Sequence, residues 1–184
     1  ITNHALLAID AIEGVPMLPA YEAVVIDEAH ELVSRVTQAA TDELDSAGIE
    51  RAVKQARPHL DDETGADLLG DAAETLRDVL TRVEPGAIGS DNEAVLQALQ
   101  LIRDAARSCL SGFAKTDNQQ VVPEGHAAKA FVDDIRKVAE RMANFSEFDV
   151  LWFADSKFDS GLRVAPINVA GILSSHLFSE KTVV

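Results

Sequence analysis

The chain has 184 residues, with 16 basic against 31 acidic side chains and a formal charge of −15. That balance is a poor electrostatic match to nucleic acid, which is bound chiefly through Lys and Arg, and its plain reading is a solvated acidic surface. The single cysteine, Cys109, excludes an internal disulfide and a four-cysteine zinc or iron–sulfur site made by this chain alone.

No apolar run approaches a membrane span and no signal peptide is visible, so the expectation is a cytoplasmic protein without membrane contact. The start at Ile1 without Met, and the end at Lys181-Thr182-Val183-Val184 as if within a strand, read as the edges of an excerpt.

In chain order, Ile1 to Ile12 reads as a short helix capped near Thr2 or Asn3 and carrying Leu6, Leu7 and Ile9. Gly14-Val15-Pro16 and Pro19 break it. The run Ala23 to Ile26 follows, and short β-branched runs of this kind fit strands buried on both faces of a parallel sheet. It ends abruptly in Asp27-Glu28-Ala29-His30. A helix then resumes, because Leu32, Val36 and Ala40 recur at four-residue spacing.

A shorter helix around Ile49 to Ala56 stops before Pro58. Three apolar stripes come next: Leu69, Ala73, Leu76, Leu80 and Val83; then Val95, Leu99, Ile102, Ala106 and Cys109; then Phe131, Ile135, Val138, Met142 and Phe145. Links at Pro85–Gly89 and around Pro123-Glu124-Gly125 join them, which predicts an antiparallel bundle. Asp149 to Ala154 reads as a strand. Asp159-Ser160-Gly161 supplies turn residues, and Leu162 to Pro166 is its hairpin partner. A short helix over 167–178 and a strand at Thr182-Val183-Val184 complete the chain. The predicted fold is mainly α, a helical bundle flanked by short pieces of an α/β parallel sheet.

In parallel sheets ligands bind beyond the carboxyl ends of the strands, where Asp27 and Glu28 stand. A nucleotide enzyme needs one carboxylate there for its magnesium and another beside the attacking water. The structural alternative is an ordinary strand end followed by a helix whose first turn is acidic. His30-Glu31 opens an H-E-x-x-H zinc pattern, but position 34 is Ser34 and the pattern fails. Gly65 and Gly70 have the separation of a phosphate loop, yet Asp71-Ala72 follow where Lys and Ser or Thr are required.

Val25-Ile26-Asp27-Glu28-Ala29-His30-Glu31-Leu32 resembles the Walker B motif of superfamily 2 helicases. Thr2-Asn3-His4-Ala5-Leu6-Leu7 is similar to the segment preceding that motif in the DinG/XPD family of DNA helicases. Leu162 to Leu173 resembles the stretch by which that family re-enters its first motor domain. The resemblance implies part of a motor domain at 1–30, a helical Arch-like domain at 31–146 and a return segment at 147–184.

It also implies roles. Asp27 holds magnesium on the ATP phosphates, Glu28 orients and deprotonates the hydrolytic water, and His30 links the nucleotide site to movement. If the intact protein carries an iron–sulfur cluster, its cysteines lie outside this chain. The intact protein acts on single-stranded or forked DNA, with 5′→3′ polarity, and the chain by itself is inactive and prone to self-association. Arg136, Lys137 and Arg141, with Lys129 near them, are the densest cations; the ordinary reading is a solvated, ion-paired face and the functional one a DNA contact. Rival readings are an acidic helical interaction module without catalysis, and a nuclease or other nucleotide hydrolase on a similar motor.

Overall fold

The structure is a computed structural model that describes residues 1–13, 17–113, 123–156, 159–179 and 181–184. The fold is mainly α. It divides into two compact units, the first formed by 1–41, 147–150 and 165–184, the second by 42–146 and 151–164.

In the first unit, α1 spans His4–Glu13, and Asn3 caps it, its side-chain oxygen accepting the Leu6 N–H at 2.8 Å. Leu7, Ala8 and Ala11 turn inward. The predicted breaker Gly14-Val15-Pro16 lies outside the described residues. Beyond it, the Asp10 carboxylate accepts the N–H groups of Met17 and Leu18, at 2.6 and 2.9 Å.

Strand β1, Ala23–Val24, pairs in parallel with β6, Thr182–Val183. The hydrogen bonds run past both named strands: Thr182 donates to the Glu22 carbonyl, Val184 to that of Val24, and Ile26 to that of Val184, at 3.0, 3.0 and 2.9 Å. Helix α2, His30–Ala39, buries Leu32 and Val36. The last helix, α7 at Ala170–Leu173, continues as a π-helical turn over Ser174–Phe178. Leu7, Leu32, Val36, Val169, Leu173 and Leu177 form one core, with Val24 and Ile26 packed against it. Val25 points the other way and is 79% exposed, so β1 is covered on one face, not two.

The second unit holds β2 (Asp42–Leu44), α3 (Ser46–Ala56), α4 (Thr64–Leu80), β3 (Gly86–Ala87), α5 (Glu93–Gly112), α6 (Pro123–Ala143) and most of β4 (Asp149–Ser156) and β5 (Asp159–Pro166). Asp45 caps α3 by accepting the Gly48 N–H at 2.7 Å. A 3₁₀ turn at Arg57–His59 follows, carrying the Pro58 that ends α3. Helices α3, α4, α5 and α6 pack in a ring: α3 on α4, α4 on α5, α5 on α6, and α6 back on α3. The start of α4 lies against the end of α5, since Asp61 donates to the Gly112 carbonyl at 2.9 Å and Leu60 bridges Phe113. These neighbours are therefore antiparallel. Arg77 reaches Glu50 and ties α4 to α3. Ile49, Leu69, Leu76, Leu99 and Ile102 are fully buried, each contributing about 1.5–3 kcal/mol of transfer free energy.

The sheet of this unit has the order β2-β5-β4-β3. Strands β2 and β3 are too short and too poor in β-branched residues to be read from sequence. Asp159-Ser160-Gly161 belong to β5 rather than to a turn. Gly161 is needed there for close approach, because a Cβ would lie 2.9 Å from the Leu44 carbonyl oxygen. Pro123-Glu124-Gly125 form the first turn of α6, not a link. The α6 seam is Ala128, Val132, Ile135, Ala139 and Met142, while Phe131, Val138 and Phe145 pack at its rim.

The unit boundaries differ from the expected ones. The first falls between Thr41 and Asp42, not after residue 30, because Leu32 and Val36 join the core of α1 and α7. Residues 151–164 go with the bundle because β5 pairs with β2 and β4 with β3.

Two glycines of α4 test the packing. A Cβ at Gly65 would lie 2.3 Å from the Cys109 nitrogen and 2.5 Å from its Cα, whereas one at Gly70 meets nothing within 4 Å. We expect Gly65→Ala to destabilise by roughly 1–3 kcal/mol through overpacking against backbone. Gly70→Ala should stabilise by about 0.4–1 kcal/mol. Urea unfolding of the two variants checks the opposite signs.

Candidate functional site

The turn 27–29 closes β1 and opens α2, whose first turn is tied by Glu31 and Leu32 donating to the carbonyls of Glu28 and Ala29 at 2.9 and 3.1 Å. Asp27 and Glu28 thus stand beyond the carboxyl end of a parallel strand, both exposed. The Asp27 carboxylate accepts the Glu28 N–H at 3.0 Å. Glu28 carries its carboxylate outward, with one oxygen 3.3 Å from Nδ1 of His30 and both side chains largely in solvent.

Glu28 has φ +49°, the one positive value outside glycine among the described residues. That left-handed conformation costs a side-chain-bearing residue roughly 1–2 kcal/mol. His4 supplies one compensation: its Nε2–H donates to the Asp27 carbonyl at 2.8 Å, and its Nδ1 lies 4.0 Å from a Glu31 oxygen. A carbonyl only accepts, so Nε2 carries the hydrogen. In the sequence the only signal for His4 is its place in Thr2-Asn3-His4.

Beside the turn, a cleft of about 780 Å³ is lined by His4, Leu7, Tyr21, Val25 and Asp27 among others. Its walls are mostly apolar, and Asp27 is among the residues that line it. Among the described residues no three His, Cys, Asp or Glu side chains converge as a metal cage. Magnesium does not need one: it is commonly held by one or two carboxylates together with substrate phosphates and water. Two solvent-open carboxylates on one turn fit that donor set. Cys109 is buried in the helical unit, where burial pushes its thiol up, away from a metal-binding thiolate.

The candidate DNA-binding cations lie on α6 and are engaged by acids. Arg136 bridges Asp133 and Glu140, each at 2.9 Å, Lys137 bridges Asp133 at 2.8 Å, and Arg141 bridges Asp42 at 2.7 Å. The Asp133 carboxyl is held below the usual range, first by its hydrogen bond from Lys137 and further by Arg136, against the opposing effect of burial. Lys129 sits 6.0 Å from the centre of the Phe113 ring. Arg136, Lys137 and Arg141 belong to the second unit and the Asp27–Glu28 turn to the first.

Relieving the backbone at position 28 should separate stability from chemistry. Glu28→Gly removes the left-handed cost at the expense of some added chain entropy, a net gain of about 0.5–1 kcal/mol. Hydrogen exchange at the Leu32 and Val36 amides is then expected to slow roughly 2–5-fold. Unchanged or faster exchange contradicts strain at Glu28.

No family model matches the chain. It is 32% identical over 194 residues to curated proteins named ATP-dependent helicase DinG from Mycobacterium tuberculosis (strain H37Rv) and Mycobacterium bovis. The match covers 100% of this chain and 29% of each relative, so the chain spans less than a third of the proteins it matches. The similarity runs along the whole length of the chain, which resembles one segment of these proteins.

Proposed function

We propose that the chain supplies one wall of the nucleotide site, and the Arch-like helical lobe, of an ATP-dependent DNA helicase that works on single-stranded or forked DNA in the cytoplasm. The observation that carries this reading is the pair of solvent-open carboxylates, Asp27 and Glu28, on the turn that ends a parallel strand. The relatives' name, ATP-dependent helicase, supports it.

When bound, magnesium supplies charge neutralisation on the ATP phosphates. Asp27 holds that ion, directly or through a water. Glu28 orients the attacking water and takes its proton. His30, 3.3 Å from Glu28, communicates the state of the site to α2, of which it is the first residue. Any iron–sulfur cluster of the intact protein takes its cysteines from outside this chain, since Cys109 is the only one here. Translocation runs 5′→3′ in this reading. A DNA contact through Arg136, Lys137 and Arg141 requires phosphate to displace Asp133, Glu140 and Asp42, and so adds little affinity.

In a full-length protein carrying this segment, Glu28→Gln should abolish ATP turnover while ATP still binds. Near-wild-type hydrolysis by that variant contradicts the assignment and favours an acidic interaction module. The 184-residue chain alone lacks a phosphate-cradling loop and should show no ATPase activity, with or without DNA. A coupled phosphate-release assay checks this, and DNA-stimulated turnover overturns it.

A further inference from the structure

Asn3 has a local task, capping α1, but its neighbour His4 has no task within that helix. Its ring is three-quarters buried and spans from the Asp27 carbonyl, at 2.8 Å, towards the Glu31 carboxylate, at 4.0 Å. The Asp27 carbonyl belongs to the peptide plane shared with Glu28. A bond that fixes this carbonyl therefore also fixes the φ of Glu28, which stands at +49°.

The neighbouring elements do not fix that plane. Among the described residues, pairing with β6 uses Glu22, Val24 and Ile26. The first bonds of α2 begin at the Glu28 carbonyl, one peptide later. The Glu28 N–H, on the other side of the same plane, is held by the Asp27 carboxylate, the group assigned to magnesium. Were Asp27 to hold a metal, that internal bond would weaken and His4 would be left to hold the peptide.

We infer that His4 is a positioning residue: its Nε2–H clamps the Asp27–Glu28 peptide, keeping Glu28 in its left-handed conformation and its carboxylate aimed at the water it activates. This rests on the nucleotide-site reading of Asp27 and Glu28. Without the clamp the peptide is free to rotate out of the unfavourable φ, which swings the Glu28 side chain away while leaving the apolar core of the unit intact.

The test compares His4→Ala, His4→Gln and His4→Asn in a full-length protein carrying this segment, with Glu28→Gln alongside. The Gln amide nitrogen reaches as far as Nε2 and donates; the Asn amide stops at the depth of Nδ1. Alanine and asparagine should lower kcat roughly tenfold with KM for ATP within about twofold, and glutamine should restore kcat to within about threefold of the wild type. Unchanged kcat in the alanine and asparagine variants, or equal impairment of the glutamine and asparagine variants, overturns the clamp. If alanine does not fold, the contrast between glutamine and asparagine decides. Hydrolysis by Glu28→Gln counts against the nucleotide-site reading itself. A dead Glu28→Gln beside a fully active His4→Ala counts against the clamp alone.

Discussion

Parallel pairing between β1 and β6 holds the Asp27–Glu28 turn in place. It joins residues from opposite ends of the chain, and its bonds extend from Glu22 to Ile26, the last residue before the acids. Lys181 adds to it by lying over the Tyr21 ring, 5.0 Å from its centre. A two-stranded parallel ladder has little stability of its own. It persists here because Val24 and Ile26 face the core made by α1, α2 and α7.

Such a ladder tolerates a large insertion only if the insertion closes on itself. The second unit does so at its doorway. The chain first enters it at Asp42 and last leaves it at Val164, and these two residues are register partners in the antiparallel pairing of β2 with β5. The helical ring then carries its own core, with no buried polar side chain among the described residues. The clamp at the gateway is short, yet Arg163 to Glu43 and Arg141 to Asp42 reinforce it at 3.0 and 2.7 Å. The acidic surplus stays on the surface, where Arg57, Arg77, Arg103, Arg136, Lys137, Arg141 and Arg163 form ion pairs with part of it.

The sequence showed most clearly what hydrophobic periodicity encodes. The stripes of α4 and α5 are buried as read except for Val83, which is half-buried beyond the end of α4, and the abrupt change from Ile26 to Asp27 marks the strand end. It hid what depends on distant partners. Asp42-Glu43-Leu44 has no strand character until β5 lies beside it, and Gly86-Ala87 none without β4. The α6 seam was misread because counting large apolar residues overlooks Ala128 and Ala139, which allow close helix contact and are buried for that reason. Val25 reads as buried because its apolarity suits an interior strand, whereas among the described residues β1 has a single neighbour, β6. At the site, Asp27 and Glu28 were legible from residue type and position. The positive φ of Glu28 and the grip of His4 were not, since both arise from backbone geometry that residue spacing does not carry.

The central claim is that Asp27 and Glu28 face nucleotide. The most direct measurement is a structure of the full-length protein with magnesium and a non-hydrolysable ATP analogue. The account predicts an Asp27 oxygen about 2.1 Å from the metal, or one water removed, with the Glu28 carboxylate facing the terminal phosphate. Nucleotide and metal bound elsewhere, with the turn 27–29 remote from both, would contradict it.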